Sequence, residues 1–182
     1  MGTLTINGFE SLGRLHTFQF LRSNLPEEIR ELGKYYFFSC SKFLEDNNNN
    51  FDLLDDEIAR LRNIHANIII EGFVAWLSVK KTHPKIDKNN SIRHASRHVL
   101  IGYNGYCLEK DALIRFFLKG NNQVLIEDLR RHYKIEFGRP LYEPGDFSKI
   151  FDASRSFPGD IAKVLYADIK EIHESECKTK TT

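Results

Sequence analysis

Little in this chain points to a staple or a membrane. Its 182 residues include three cysteines, Cys40, Cys107 and Cys177, odd in number and widely scattered. No CxxC pair exists, which excludes a zinc knuckle or a disulfide framework and reads as reduced thiols in a cytoplasmic compartment. A formal net charge of +1 excludes a surface built entirely for nucleic acid, although a local basic face fits that balance. The opening Met1-Gly2-Thr3-Leu4-Thr5-Ile6 lacks the charged-then-apolar build of a signal peptide. Ile6 stands where myristoylation would want serine or threonine. The longest apolar candidate, Ile64 to Val79, is interrupted by His65, Asn67 and Glu71. It falls short of the roughly 18 to 20 apolar residues that span a bilayer, so no membrane partner is expected.

What is present is an ordinary globular composition, 41% hydrophobic and 28% charged, in a length that suits one domain with a real core. Residues 1–24 read as an N-terminal arm or small hairpin, with Leu4-Thr5-Ile6, Asn7-Gly8 and the alternation His16 to Phe20. From residue 25 to 177 the pattern reads as a single helical domain, with a frayed tail over 178–182. Pro26, Glu27 and Glu28 make a good first helical turn, followed by Ile29, Leu32, Tyr36, Phe37, Cys40, Phe43 and Leu44. A second helix is expected from Asp52 to Lys80, with acids at its start, lysines at its end, and apolar residues nearly all round beyond Arg62. Ser91 to Tyr103, Leu108 to Lys119, Val124 to Phe137, Asp146 to Phe157 and Pro158 to Glu176 extend the helical reading. The expected fold class is all-α: a helical bundle of about six or seven helices around a long central apolar helix.

Charge is uneven along the chain. Residues 45–57 hold acids without a base, whereas residues 80–98 hold Lys80, Lys81, Lys85, Lys88, Arg93 and Arg97 against Asp87 alone. Two solvated helix ends obeying the dipole rule account for this. A phosphate-binding face is the sharper account, because His83, His94 and His98 join the lysines.

Arg93-His94-Ala95-Ser96-Arg97-His98 is the densest chemical cluster. Histidine titrates near neutrality and arginine offers a planar fork of donors, a pairing suited to a phosphodiester. The stretch resembles the R-x4-6-H signature of the HEPN superfamily, all-helical proteins that include many metal-independent ribonucleases. The resemblance covers these six residues and an all-helical setting. It implies an endoribonuclease of defence, toxin or RNA-processing type, often with its cleft shared between two subunits. Arg93 would hold or neutralise the phosphate and His98 would act as general acid or base. Lys85, Lys88, His94 and Arg97 would bind the nucleic acid. Residues five apart on one helix point about 140° away from each other, so the pair converges on one phosphate only if Arg93 sits at the frayed helix start or a second subunit supplies the other half, and a homodimer is expected. The alternative is a non-catalytic helical interaction or regulatory module whose basic surface docks a protein or another anionic partner.

Other features take plainer readings. Arg60 to His65 also fits the spacing, but His65 falls on the apolar stripe and reads as a core histidine. His94 and His98 share a helical face, yet no third ligand accompanies them, so neither a metal nor another cofactor is expected. Glu71, among Ile68, Ile69, Ile70, Gly72 and Phe73, must be paired or protonated if buried. It reads as a helix rim, a structural ion pair, or a group that orients a histidine or arginine of the cluster. Tyr35-Tyr36-Phe37-Phe38 could stack bases but reads as core.

Overall fold

Three consecutive isoleucines, Ile68-Ile69-Ile70, lie in an extended strand rather than a helix in the computed structural model of the chain. The structure describes residues 2–9, 12–82, 95–102, 122–136 and 139–179. The strands are β1 (Gly2–Gly8), β2 (Tyr35–Ser39), β3 (Asn67–Glu71), β4 (Ala95–Gly102) and β5 (Lys149–Asp152). They form one sheet in the order β2-β3-β1-β4-β5, every neighbouring pair parallel. The helices are α1 (Arg14–Ser23), α2 (Glu27–Leu32), α3 (Cys40–Asp46), α4 (Phe51–Ile64), α5 (Ala75–Lys81), α6 (Asn122–Tyr133) and α7 (Pro158–Thr179).

The protein is therefore α/β, which corrects the expectation of an all-α helical bundle. The long central helix expected over 52–80 is α4, β3 and α5 in succession. A strand covered by helices on both faces has no polar side, so its apolar run carries no period that separates it from a buried helix. The stretch 1–24, expected as an arm or small hairpin, is described over residues 2–9 and 12–24. They supply the middle strand β1 and helix α1. The helix expected from Ser91 to Tyr103 is replaced, where described, by β4, and Tyr35 to Ser39 form edge strand β2 within a stretch expected to be helical throughout. Lys149 to Asp152 form β5 where a helix was expected from Asp146. The helix expected over Leu108 to Lys119 lies outside the described residues.

Both faces of the sheet are covered. On one, Phe18 and Leu21 of α1, Ile29 of α2, and Ile161, Leu165 and Ile169 of α7 pack on Leu4, Ile6, Ile69, Val99 and Ile101. On the other, Leu44, Leu54, Ile58, Leu61, Val79 and Leu129, from α3 to α6, cover Ile68, Ile70 and Leu100. The second face also buries polar groups of the central strand. Asn7 donates to Thr5 Oγ1 (2.8 Å) and to the Val99 carbonyl (2.9 Å), and accepts from the Trp76 backbone N–H (2.9 Å). That last bond satisfies a donor in the first turn of α5, which has no other side-chain cap at its N-cap position. Among the described residues no helix is long and apolar enough to cross a membrane.

Candidate functional site: the loop after the central strand

In open parallel sheets, ligands bind beyond the carboxyl ends of the strands, where connections depart in opposite directions. Here β1 connects toward β2, and β4 connects toward β5 on the other side. The switch point is thus the carboxyl end of β1 beside β4. The chain there reads Gly8-Phe9-Glu10-Ser11-Leu12-Gly13-Arg14-Leu15, leaving a strand at Gly8 and entering α1 at Arg14. Strand, G-x4-G, cation, helix is the layout of a phosphate-cradling loop, in which lysine and then serine or threonine follow the second glycine. Arginine and leucine stand there instead. Glu10 and Ser11 lie outside the described residues.

Both glycines have physical reasons. Gly8 has φ of 124°, and a Cβ there would sit 2.4 Å from the Ile101 carbonyl oxygen of β4. Gly13, at φ 87°, is the N-cap of α1 in the left-handed region. Phe9 is buried and packs edge-on against Tyr142, whose hydroxyl donates to the Phe73 carbonyl (2.6 Å). Burial pushes the Tyr142 hydroxyl pKa far up, with Arg14 and Gly8 acting weakly in the opposite direction, so it stays a neutral donor.

Arg14 does not face an open cradle. Its side chain is 2% exposed and its Nε lies 2.6 Å from Glu71 Oε2, on a glutamate that is 0% exposed at the end of β3. Nη1 donates to the Gly8 carbonyl (2.5 Å) and Nη2 to Ser41 Oγ (2.6 Å), while Ser39 Oγ donates to Glu71 Oε1. Glu71 is therefore half of a buried structural ion pair, and its partner Arg14 is not a residue of the Arg93–His98 stretch. Beside it, Cys40 is fully buried, and burial with the Glu71 charge pushes its thiol pKa well up, so it is a poor nucleophile. A Cβ on Gly72 would sit 2.6 Å from Cys40 Cβ, which keeps this corner closely packed.

A second polar knot joins three helices. Asp55 of α4 accepts from Ser78 Oγ (2.5 Å) and Tyr133 Oη (3.0 Å), and its Oδ2 lies 2.7 Å from His132 Nε2 and 2.8 Å from Lys81 Nζ. Burial acts to raise the Asp55 pKa, but the hydrogen bonds from Lys81, Ser78 and His132 outweigh it and hold the carboxyl below its ordinary value. A groove of about 250 Å³ opens nearby, lined among others by Trp76, Lys80, Lys134, Arg139, Glu143 and Asp146. Its charges are of both signs, and Lys80 is paired with Asp146.

The residues expected to carry chemistry are distributed differently. Arg93, His94, Lys85 and Lys88 lie outside the described residues. His98 is on strand β4, its Nδ1 2.8 Å from Thr5 Oγ1, and its backbone carbonyl accepts from Ser148 of the neighbouring chain segment. Arg97 is held on Asp168 (3.1 Å) and Glu171 (2.8 Å) of α7, and Lys149 reaches the same Asp168 oxygen (2.8 Å). His65 caps the end of α4 and stacks on Tyr36 at 4.0 Å between ring centres. Among the described residues no group of three or more His, Cys, Asp or Glu could hold a metal. The glycine loop was not singled out in sequence. Its spacing was the available signal, hidden because Arg14-Leu15 replace the residues that make it familiar.

Compared with known proteins, the chain matches no family model, and no curated protein matches it significantly.

Proposed function

We propose that the chain is a non-catalytic α/β binding module, a regulatory or scaffolding protein whose loop has a phosphate-cradling layout but whose cation is held internally. The observation that carries this reading is the buried Arg14–Glu71 pair. A cradle needs its cation free to meet phosphate, and a hydroxyl beside it to hold Mg²⁺. Arg14 is spent on Glu71, Gly8 and Ser41, and Leu15 has no oxygen to offer. Phosphoryl transfer at this loop lacks both parts, and the role that fits such a closed loop is recognition of a protein partner rather than turnover of a nucleotide.

Titration calorimetry of the purified chain with Mg²⁺-ATP, Mg²⁺-GTP and pyrophosphate tests this. No saturable binding is expected up to about 1 mM, where affinity is worth only about 4 kcal/mol. Saturable binding that disappears in Arg14→Ala would overturn the reading. So would cleavage of RNA in EDTA that is lost in His98→Ala with the fold intact, since that is the signature of a metal-independent nuclease.

A further inference from the structure

On the face of the sheet that α7 covers, the first row of residues differs from the second. Tyr35, Asn67 and Gly2 stand side by side across β2, β3 and β1, and Phe37, Ile69 and Leu4 form the next row on the same face. The second row is apolar and belongs to the core under α7. The first carries a hydroxyl and a carboxamide, and its third member has no side chain. Helix α7 places Ile169, Ile172 and His173 over this row, three positions that share one helical face. A Cβ on Gly2 would stand 2.2 Å from Ile172 Cγ2, so the helix lies directly on the β1 backbone here.

These residues line a cavity of about 10 Å³, room for a single water and for nothing larger. Two polar atoms of its lining residues, Tyr35 Oη and His173 Nδ1, are withdrawn from solvent and meet no protein partner. Burial pushes the Tyr35 hydroxyl pKa up, so it stays a neutral O–H. No carboxylate, lysine or arginine is among the described lining residues, so the occupant that fits is neutral.

We propose that this cavity is a hydration site, in which one ordered water bridges Tyr35 Oη and His173 Nδ1 and ties the last turns of α7 to the start of β2. A buried polar group without a bond is costly, and in a polar cavity of this size an ordered water with roughly two to four partners removes the cost. The Tyr35 hydroxyl donates to the water oxygen and the water donates to Nδ1. Its second proton is left for the carboxamide oxygen of Asn67, buried in the same row. This inference does not depend on the loop after β1, and its failure would leave the reading of Arg14 untouched.

The test is water-to-protein NMR on the full chain with labelled isoleucine methyls, joined to a crystal structure that resolves ordered water. Expected are cross-peaks from water to the Ile69 and Ile172 methyls with the sign of a long-lived bound molecule. The crystal should place a water within about 3.2 Å of both Tyr35 Oη and His173 Nδ1. In Tyr35→Phe, which removes only the hydroxyl, the cross-peaks should vanish. The Ile172 and His173 amides should then exchange about two- to tenfold faster, the worth of one net hydrogen bond. A dry cavity overturns the proposal, as does a direct Tyr35–His173 bond that closes it. Cross-peaks and exchange unchanged in folded Tyr35→Phe do the same, because the water would not then depend on the hydroxyl. If Tyr35→Phe fails to fold, the wild-type cross-peaks and crystal structure decide alone.

Discussion

Arg14 Nε sits 2.6 Å from Glu71 Oε2, with both side chains withdrawn from water at the mouth of the central strand. Removing one partner strands the other charge in a packed site. Glu71→Ala and Arg14→Ala should each lose about 3–5 kcal/mol of stability in urea unfolding, the usual cost of breaking a buried pair. Replacing both with apolar residues, Arg14→Met with Glu71→Leu, should cost far less, because no unpaired charge remains. Single variants as stable as the parent would show that the pair does not hold β3, Gly8 and α1 together.

Internal pairing also predicts that restoring the missing residue types is not enough. Lysine at 14 is a compact point charge, and it would meet the same buried Glu71 carboxylate. Arg14→Lys combined with Leu15→Thr should therefore gain no saturable Mg²⁺-ATP binding by calorimetry up to about 1 mM. A gain of binding would mean that residue identity alone, not Glu71, silences the loop.

The course of the chain was partly readable from the pattern of residues, and the reasons differ by element. The capped amphipathic helix α4 was visible in its acids at the start and its Leu54-Ile58-Leu61 stripe. Strand β3 was not, because Ile68 to Ile70 are buried on both faces and show no alternation. Strand β1 was masked in another way: Thr3, Thr5 and Asn7 look solvent-facing but are buried, their needs met in part by Val99, Trp76 and His98. No local pattern announces a polar face that the rest of the fold satisfies. The same cause hid the site. Arg14 and Glu71 are 57 positions apart, and only the β1–β3 pairing brings their elements together. The Arg93–His98 cluster drew attention through density of charge, yet Arg97 and His98 point to opposite sides of one strand, toward Asp168 and Thr5.

Asp55 gives the fold a defined acid sensitivity. Its carboxyl titrates below its ordinary value because the bonds from Lys81, Ser78 and His132 overcome the cost of burial. A depressed folded-state value means that the unfolded chain takes up the proton first, so stability falls as pH falls. The contribution is complete above the ordinary aspartate value of about 3.9 and is lost as pH drops from there through the lower folded value. Asp55→Asn should remove this limb of the pH–stability curve while lowering stability at neutral pH by about 2–3 kcal/mol, as for hydrogen bonds to a charged group. Unfolding midpoints measured from neutral to strongly acidic pH check it. A variant with the parent's acid limb would assign that sensitivity to another carboxylate.

Gly8 marks where sequence spacing and three-dimensional closeness coincide. Its φ of 124° is a conformation that L side chains rarely adopt, and a Cβ would stand 2.4 Å from the Ile101 carbonyl oxygen. Neither can relax cheaply, because Gly8 and Ile101 are paired in the β1–β4 ladder at the centre of the sheet. Gly8→Ala should cost at least about 1–3 kcal/mol from backbone strain, with the clash added. The loss should appear as a lower thermal midpoint and faster amide exchange in β1 and β4. Gly145→Ala is the control: nothing lies within 4 Å of its Cβ position, so the change should stay within about 0.5 kcal/mol of the parent. Equal effects at the two glycines would mean that the close approach of β1 to β4 is not what requires Gly8.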